Sequence, residues 1–123
     1  EVESIMITGD SILTGIKIAH EAGIIPEGER VLVGSYSNGN VIWKNEANEE
    51  VALPQLDSLP SSGIKLAVSG EALSVLLSND KESTHALMDS IRVYGRCTPY
   101  DKVAVVSEFV QRGFMTAMIG DGN

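Results

Sequence analysis

Short apolar runs that alternate with helical patterns restrict the folds open to this chain more than any other feature of its sequence. The runs with the length of buried strands are 4–7, 31–36, 40–44, 64–70, 92–96 and 114–119. The helical patterns are 11–23, 71–77, 82–90 and 98–112. Strands that alternate with helices are typical of a parallel sheet with crossover helices, so the sequence predicts an α/β fold.

Two of the predicted helices carry clear boundary signals. Thr98 has the side chain of an N-cap, Pro99 stands at the first helical position, and Asp101 stands at the third. This is a capping box in which Asp replaces the usual Glu. The helix after the first strand ends before Gly23, because glycine tolerates the left-handed backbone that commonly follows a helix.

The stretch 31–63 departs from the alternation. Its two strands flank the turn residues 37–39, a pattern that predicts a β-hairpin. The following residues, 45–63, are polar and contain prolines, which is typical of a surface loop. We therefore expect a hairpin-and-loop insertion at 31–63, with Trp43 packed within the hairpin.

Charge and composition exclude several classes of function. The 123 residues include 17 Asp plus Glu but only 9 Lys plus Arg, a net charge of −8. Nucleic acids and anionic membrane surfaces attract basic patches, so neither is an expected partner. The single cysteine, Cys97, excludes an internal disulfide. No apolar run approaches the ~20 residues that a membrane helix needs.

Small and polar residues follow four of the predicted strands. These segments are TGD at 8–10, SGE at 69–71, GR at 95–96 and GDGN at 120–123. The carboxyl ends of parallel strands meet at one edge of a sheet, and ligands of such sheets bind beyond that edge. The four segments are therefore the candidate functional residues.

The first segment has the composition of a phosphate site. Thr8 offers a hydroxyl, and backbone N–H groups around Gly9 and Asp10 stand where a helix begins. Those donors and the helix dipole both favour an anion. The alternative is that Asp10 or Ser11 merely caps the helix while Gly9 permits the turn.

Two further residues complete a set suited to phosphoryl chemistry. Asp121, between Gly120 and Gly122, would present a carboxylate at a strand end, a ligand that suits Mg²⁺. Lys102 lies in the first turn of a helix, where a cation opposes the dipole unless an anion is held nearby. The alternatives are an ordinary Asp-Gly turn and a solvated lysine. Together, a Thr, a Lys and a metal-binding Asp can hold and neutralise a phosphoryl group.

Other reactive side chains lack the partners that catalysis would require. His20 and His85 have no metal-ligand spacing, and Cys97 has no His motif nearby, so we expect all three to be structural or surface residues. The sequence contains no G-x-S-x-G, no G-x-G-x-x-G and no Walker A loop.

Four blocks of sequence resemble one known family. MITGDSILTGIKIAHEAGII, LAVSGE, VYGRCTPYDK and TAMIGDGN, in this order, resemble the phosphorylation domain of P-type ATPases, which has a haloacid-dehalogenase-like fold. VIWKNE followed by LAVSGE is most similar to the type V subgroup. Within it, the likeness is greater to the polyamine-exporting branch of late endosomes and lysosomes than to the endoplasmic reticulum branch that removes misplaced membrane helices.

The resemblance implies a role for each candidate residue. Thr8 and Gly9 would contact an aspartyl phosphate, Asp10 would organise the nucleotide and phosphate loop, and Lys102 would bridge to the phosphoryl oxygens. The remaining implied roles are a place near the nucleotide for Arg96, a Mg²⁺ ligand for Asp121, and a hinge shaped by Gly120 and Gly122.

The departures from the family are equally informative. The DKTGT motif, whose Asp is phosphorylated, is absent, so the resemblance implies that this chain alone is inactive. We expect residues 1–123 to be a partial phosphorylation domain with an incomplete sheet, since the chain begins without Met and ends directly after a predicted strand.

The implied parent is an ATP-hydrolysing translocase. Its Mg²⁺, its ATP, and its nucleotide-binding, actuator and membrane domains would be the cofactors and partners of this segment. The segment would lie on the cytosolic side of an endomembrane, such as that of the late endosome, lysosome or endoplasmic reticulum. Two alternatives stay open: a soluble haloacid-dehalogenase-superfamily phosphatase, and a non-catalytic phosphate-binding module if the chain is full length.

Overall fold

The computed structural model describes residues 2–26, 28–52, 63–79, 81–111 and 115–119. In chain order the elements are β1 (Val2–Ile7), α1 (Ile12–Glu21), β2 (Arg30–Ser37), β3 (Asn40–Lys44), β4 (Ile64–Ser69), α2 (Gly70–Asn79), α3 (Lys81–Met88), β5 (Ile91–Gly95), α4 (Pro99–Gln111) and β6 (Met115–Ile119). This order confirms the predicted alternation of strands and helices.

The described strands form one six-stranded sheet with the order β3-β2-β4-β5-β1-β6. All neighbouring pairs are parallel except β2 and β3, which are antiparallel. The first strand pairs with the last, from Val2 opposite Met115 to Met6 opposite Ile119. The predicted α/β class is therefore confirmed, and the arrangement is consistent with a haloacid-dehalogenase-like, Rossmann-like fold.

Both faces of the sheet are covered, which explains the nearly continuous apolar runs of its strands. The face that α1 covers buries residues such as Met6, Ile16, Ala19, Val31 and Val93. The face that α2, α3 and α4 cover buries residues such as Ile5, Leu66, Leu73, Leu87 and Val105. Each large aliphatic side chain removed from water contributes roughly 1.5–3 kcal/mol to folding.

The predicted hairpin is present and is continuous with the main sheet. Its turn residues, Asn38 and Gly39, have φ angles of 50° and 83°, as a tight type I′ turn requires. Trp43 is only 9% exposed and packs into the core. A Cβ atom on Gly34 would lie 2.8 Å from the Trp43 ring, so this close cross-strand contact requires glycine. The predicted packing of Trp43 within the hairpin is confirmed.

The connections that follow the neighbouring strands β1 and β5 run on opposite faces of the sheet. The helix that follows β1 runs across one face of the sheet towards β2, whereas α4 follows β5 across the other face towards β6. Open α/β sheets bind their ligands at the carboxyl ends of two such strands. We call this edge, with the loops 8–11 and 96–98 that follow β1 and β5, the crevice.

None of the helices in the described ranges could span a bilayer. The longest, α4, has 13 residues, whereas a spanning helix needs ~20.

Candidate functional site

The loop between β1 and α1 forms one wall of this crevice. Thr8 is 2% exposed, and its amide donates a hydrogen bond to the carbonyl of Tyr94 at 2.9 Å. The Thr8 hydroxyl accepts a hydrogen bond from the amide of Asp10 at 3.1 Å. Thr8 therefore fixes the loop that places the exposed Gly9 and Asp10 at the sheet edge.

Ser11, rather than Asp10, caps the helix that follows. The amide of Thr14 donates to Ser11 Oγ at 3.2 Å, and the Ser11 hydroxyl donates to Thr14 Oγ1 at 2.9 Å. Of the two capping residues that the sequence left open, the structure selects Ser11. The carboxylate of Asp10 is therefore not committed to capping α1.

The loop between β5 and α4 lies beside the first loop and is hydrogen-bonded to it. The amide of Cys97 donates to the Thr8 carbonyl at 3.0 Å, and the amide of Arg96 donates to the Asp10 carbonyl at 2.7 Å. Arg96 has a φ of 51°, a left-handed backbone that costs a non-glycine residue roughly 1–2 kcal/mol. These two bonds hold segments that are distant in sequence in one fixed arrangement.

The start of α4 has the predicted capping box. The amide of Thr98 donates to Asp101 Oδ2 at 2.9 Å, and the amide of Asp101 donates to Thr98 Oγ1 at 3.2 Å. Lys102 follows in the first turn, with its amide donating to the Thr98 carbonyl at 3.1 Å. The cap therefore sets the direction from which Lys102 leaves the helix.

Cys97 belongs to the second of these loops, and its free thiol is buried. Burial and, to a lesser extent, the Asp101 carboxylate raise the pKa of its thiol from 9.0 to about 12, although the Lys102 ammonium opposes the change. The thiolate is the reactive form of cysteine, so this thiol is not a nucleophile near neutral pH.

A cleft of about 300 Å³ opens beside the crevice, on the face of the sheet that α1 covers. The α1 cap residue Ser11, Ser35, Lys44 and Arg96 contribute to its lining. A larger cavity of about 580 Å³ lies beside Arg30 at the amino end of β2. The smaller cleft adjoins the crevice at Ser11 and Arg96, next to the strand ends and helix N-termini where α/β sheets bind anions.

The structure brings five predicted residues to one edge of the sheet. Thr8, Gly9, Asp10 and Arg96 belong to the two hydrogen-bonded loops, and Lys102 lies in the helix turn that follows the second loop. The sequence order alone could not establish this meeting, because it depends on β1 and β5 being neighbours.

The predicted metal site lies outside the described residues, as do Gly120, Asp121 and Gly122. The last residue of β6, Ile119, pairs with Met6, so the carboxyl end of β6 lies at the same edge as Thr8. Within the ranges that the structure describes, no group of three or more His, Cys, Asp or Glu side chains could hold a metal ion.

The SGE segment, 69–71, lies where β4 ends and α2 begins. Ser69 caps α2, since its Oγ accepts a hydrogen bond from the amide of Ala72 at 3.0 Å. Gly70, the first residue of α2, lies against the carboxylate of Asp101. A glycine directly after a strand was the only sequence indication of this contact.

The two histidines lie away from the crevice. His85 Nε2 is 2.5 Å from Glu108 Oε1, a pair that joins α3 to α4. His20 lies 4.0 Å from Glu46 and lines a groove beside α1. Neither arrangement contributes to the phosphate site, as the sequence predicted.

Relatives of this chain are much longer membrane-transport proteins. No protein-family model matches the chain. It is 30% identical over 125 residues to the endoplasmic reticulum transmembrane helix translocase of Schizosaccharomyces pombe, covering 95% of this chain and 10% of that protein. The protein of the same name from Saccharomyces cerevisiae is 33% identical over 131 residues, covering 97% and 10%. The probable cation-transporting ATPase 13A4 of Gallus gallus is 29% identical over 140 residues, covering 98% and 12%.

These matches cover 95–98% of the chain. The chain spans about a tenth of the length of the relatives that it matches. It is therefore a homologue of the P-type ATPases of type V, related over nearly its whole length to one segment of those longer proteins.

Proposed function

We propose that the chain forms part of the phosphorylation domain of a type V transport ATPase and contacts the phosphoryl group that drives transport. The observation that carries this proposal is the hydrogen-bonded pair of loops at the β1–β5 crevice. The hydrogen bonds from Cys97 to Thr8 and from Arg96 to Asp10 hold these loops together. The edge thereby combines the Thr8 hydroxyl and loop backbone N–H groups with the cationic residues Arg96 and Lys102, beside the start of two helices. That combination suits an anion with several oxygens.

The proposed reaction has two displacements. A carboxylate attacks the γ-phosphorus of ATP and ADP leaves, which gives an aspartyl phosphate. Water then attacks the same phosphorus, which releases inorganic phosphate and restores the carboxylate. This sequence has no DKTGT motif, so we infer that the attacking Asp belongs to another segment of the transporter.

Thr8 and Lys102 are the residues that we assign to the phosphoryl oxygens. The Thr8 hydroxyl accepts from Asp10, so its own proton points elsewhere and is available to a phosphoryl oxygen. Gly9 would offer its amide beside it, and the Lys102 ammonium would neutralise charge on the opposite side. Arg96, which lines the cleft, would lie near the nucleotide. Positioned donors of this kind are the main source of catalysis in phosphoryl transfer.

Mg²⁺ is the cofactor that this chemistry requires. When bound, it would offset the charge of the phosphates. Asp121 would be its ligand, with Gly120 and Gly122 shaping the segment that presents it. Oxygen donors of this type suit a hard cation, and Asp10 is a further exposed carboxylate at this edge.

The rest of the transporter would supply the other partners of this segment. They are ATP, the nucleotide-binding and actuator domains, and the membrane domain, with the segment on the cytosolic side. The relatives include both helix translocases of the endoplasmic reticulum and probable cation-transporting ATPases. The proposal therefore includes both branches of the subgroup, the helix translocases of the endoplasmic reticulum and the polyamine exporters of late endosomes or lysosomes.

The test is phosphoenzyme formation by the full-length protein that contains this chain, expressed in membranes. With radiolabelled ATP and Mg²⁺ we expect an acid-stable, hydroxylamine-labile phosphoprotein, as an acyl phosphate gives. Lys102→Ala should lower its rate of formation roughly 10²- to 10³-fold, because one charge-stabilising donor is lost. The matched control is Lys17→Ala, an exposed lysine of α1, which should leave the rate unchanged.

Other outcomes would replace the proposal. A full-length protein that hydrolyses small phosphoesters without membrane helices would be a soluble phosphatase. A full-length protein that binds inorganic phosphate but forms no phosphoenzyme would be a binding module.

A further inference from the structure

The carboxylate of Asp101 lies where two helices begin. Its Oδ2 accepts a hydrogen bond from the Thr98 amide at 2.9 Å and from the Thr98 hydroxyl at 3.1 Å. This ties it to the first turn of α4, the turn that contains Lys102. On its other side it lies against Gly70, the first residue of α2.

Gly70 is needed for this arrangement for steric reasons. A Cβ atom built on Gly70 would overlap Asp101 Oδ2, and would lie 2.8 Å from Asp101 Cγ and 3.3 Å from the Arg96 carbonyl oxygen. The short carboxylate is fixed by its two bonds to Thr98, so it cannot swing away without breaking the cap. A side chain at position 70 would therefore either break the bonds of Asp101 to Thr98 or displace the first turn of α4.

Electrostatics also favour a carboxylate at this point. The N-terminus of a helix carries partial positive charge from its unpaired N–H groups, and an anion nearby is stabilised. Asp101 is close to the N-termini of both α2 and α4, helices of 10 and 13 residues. The ammonium of Lys102 is attached to the next residue along the chain.

We propose that Asp101 is a positioning residue for Lys102, and that Gly70 provides the space that Asp101 occupies. The SGE segment thus controls the phosphate site without touching the phosphate. This inference rests on the proposed function, in which Lys102 contacts the phosphoryl group. It gives a role to the SGE segment at the end of β4, which contains none of the residues proposed to contact the phosphoryl group.

The first test uses the chain itself and needs no catalysis. The side-chain resonances of Lys102 are followed by NMR while inorganic phosphate is added. Gly70→Ala should shift the Lys102 and Thr98 resonances and weaken the response of Lys102 to phosphate. Asp101→Ala, which adds no atoms, should do the same. Unchanged Lys102 resonances in both variants would overturn the inference.

The second test is a double-mutant cycle in the full-length protein. Gly70→Ala should slow phosphoenzyme formation roughly 10- to 100-fold, as a misplaced catalytic group does, without changing the ATP concentration for half-maximal rate. Gly70→Ala combined with Asp101→Ala should be no slower than Asp101→Ala alone, because the clashing carboxylate is gone. Asp101→Asn keeps the acceptor oxygen and the shape, so it should retain most of the rate.

Gly34→Ala is the matched control, since it introduces a clash of the same kind with Trp43, on β3 at the far edge of the sheet. It should lower thermal stability but leave the transfer rate of the folded protein unchanged. Equal slowing by Gly34→Ala, or fully additive effects of the two site changes, would contradict positioning. Failure of the wild-type protein to form a phosphoenzyme would instead contradict the proposed function, and the NMR test would still decide the inference.

Discussion

The β2–β3 hairpin and the crevice between β1 and β5 are built in opposite ways. The hairpin joins neighbours in sequence: its strands pair from Ser37 opposite Asn40 to Val33 opposite Lys44. The crevice joins segments that are distant in sequence, because residues 8–10 bond to residues 94–97. One region is specified by a turn and a few flanking residues, whereas the other exists only once the whole sheet has assembled.

The two regions also differ in what they contribute. The hairpin places Trp43 in the core, so its contribution is apolar burial. The crevice presents polar groups at the surface and is held by single hydrogen bonds, each worth about 0.5–1.5 kcal/mol net. We therefore expect changes in the hairpin to affect stability and changes in the crevice to affect the site.

The largest effect should come from the hairpin. Trp43→Ala should lower the free energy of unfolding by about 3–5 kcal/mol, because it leaves a cavity against the core. Urea unfolding followed by circular dichroism measures the change. Tyr100→Ala is the matched aromatic control, since Tyr100 is 89% exposed, and it should change stability by less than about 0.5 kcal/mol. Equal losses of unfolding free energy for both variants would show that Trp43 does not stabilise the core.

A smaller loss of stability with a clear effect on the site should come from the crevice. Thr98→Ala removes the N-cap of α4 and should cost about 1 kcal/mol. It should also shift the NMR resonances of Lys102, because the Thr98 side chain bonds to the Asp101 amide and the Thr98 carbonyl bonds to the Lys102 amide in the first turn. Ser74→Ala, at an exposed position within α2, is the control. A Thr98 variant with unchanged Lys102 resonances would show that the cap does not direct that side chain.

The effect that is smallest near neutral pH should be a pH dependence caused by Cys97. Its thiol has a pKa of about 12 when folded against an ordinary 9.0, so the unfolded chain loses this proton first as the pH rises. Below pH 9 the neutral thiol gives its full stabilisation, and this is lost as the pH rises towards 12. Unfolding free energies from pH 8 to 10 should therefore fall more steeply for the wild type than for Cys97→Ala. Parallel curves would contradict the pKa shift.

What could be predicted from the sequence follows the same division. The capping box of Thr98 and Asp101, and the hairpin turn at 37–39, are local patterns, and the structure confirms them. The contact of Gly70 with Asp101 could not be predicted, because it depends on β4 and β5 being neighbours in the sheet.

The left-handed backbone of Arg96 was also beyond prediction from the sequence. An arginine gives no local reason for a φ of 51°, and the hydrogen bond to the Asp10 carbonyl that stabilises it joins distant segments. The candidate residues could be named because each follows a strand. Asp121 stays a prediction, since it lies outside the described residues.

The pairing of β1 with β6 has a consequence for how the chain folds. Because β1 pairs with β6, all the residues between these two strands must be present before the pair can form. Parallel pairings over such long separations are slow, since the loop-closure entropy is lost before the contact forms. During synthesis on the ribosome, the hairpin and its flanking helices can therefore assemble first. The edge of β1 that pairs with β6, opposite to its β5 edge, would then stay open, and a target for chaperones, until β6 emerges.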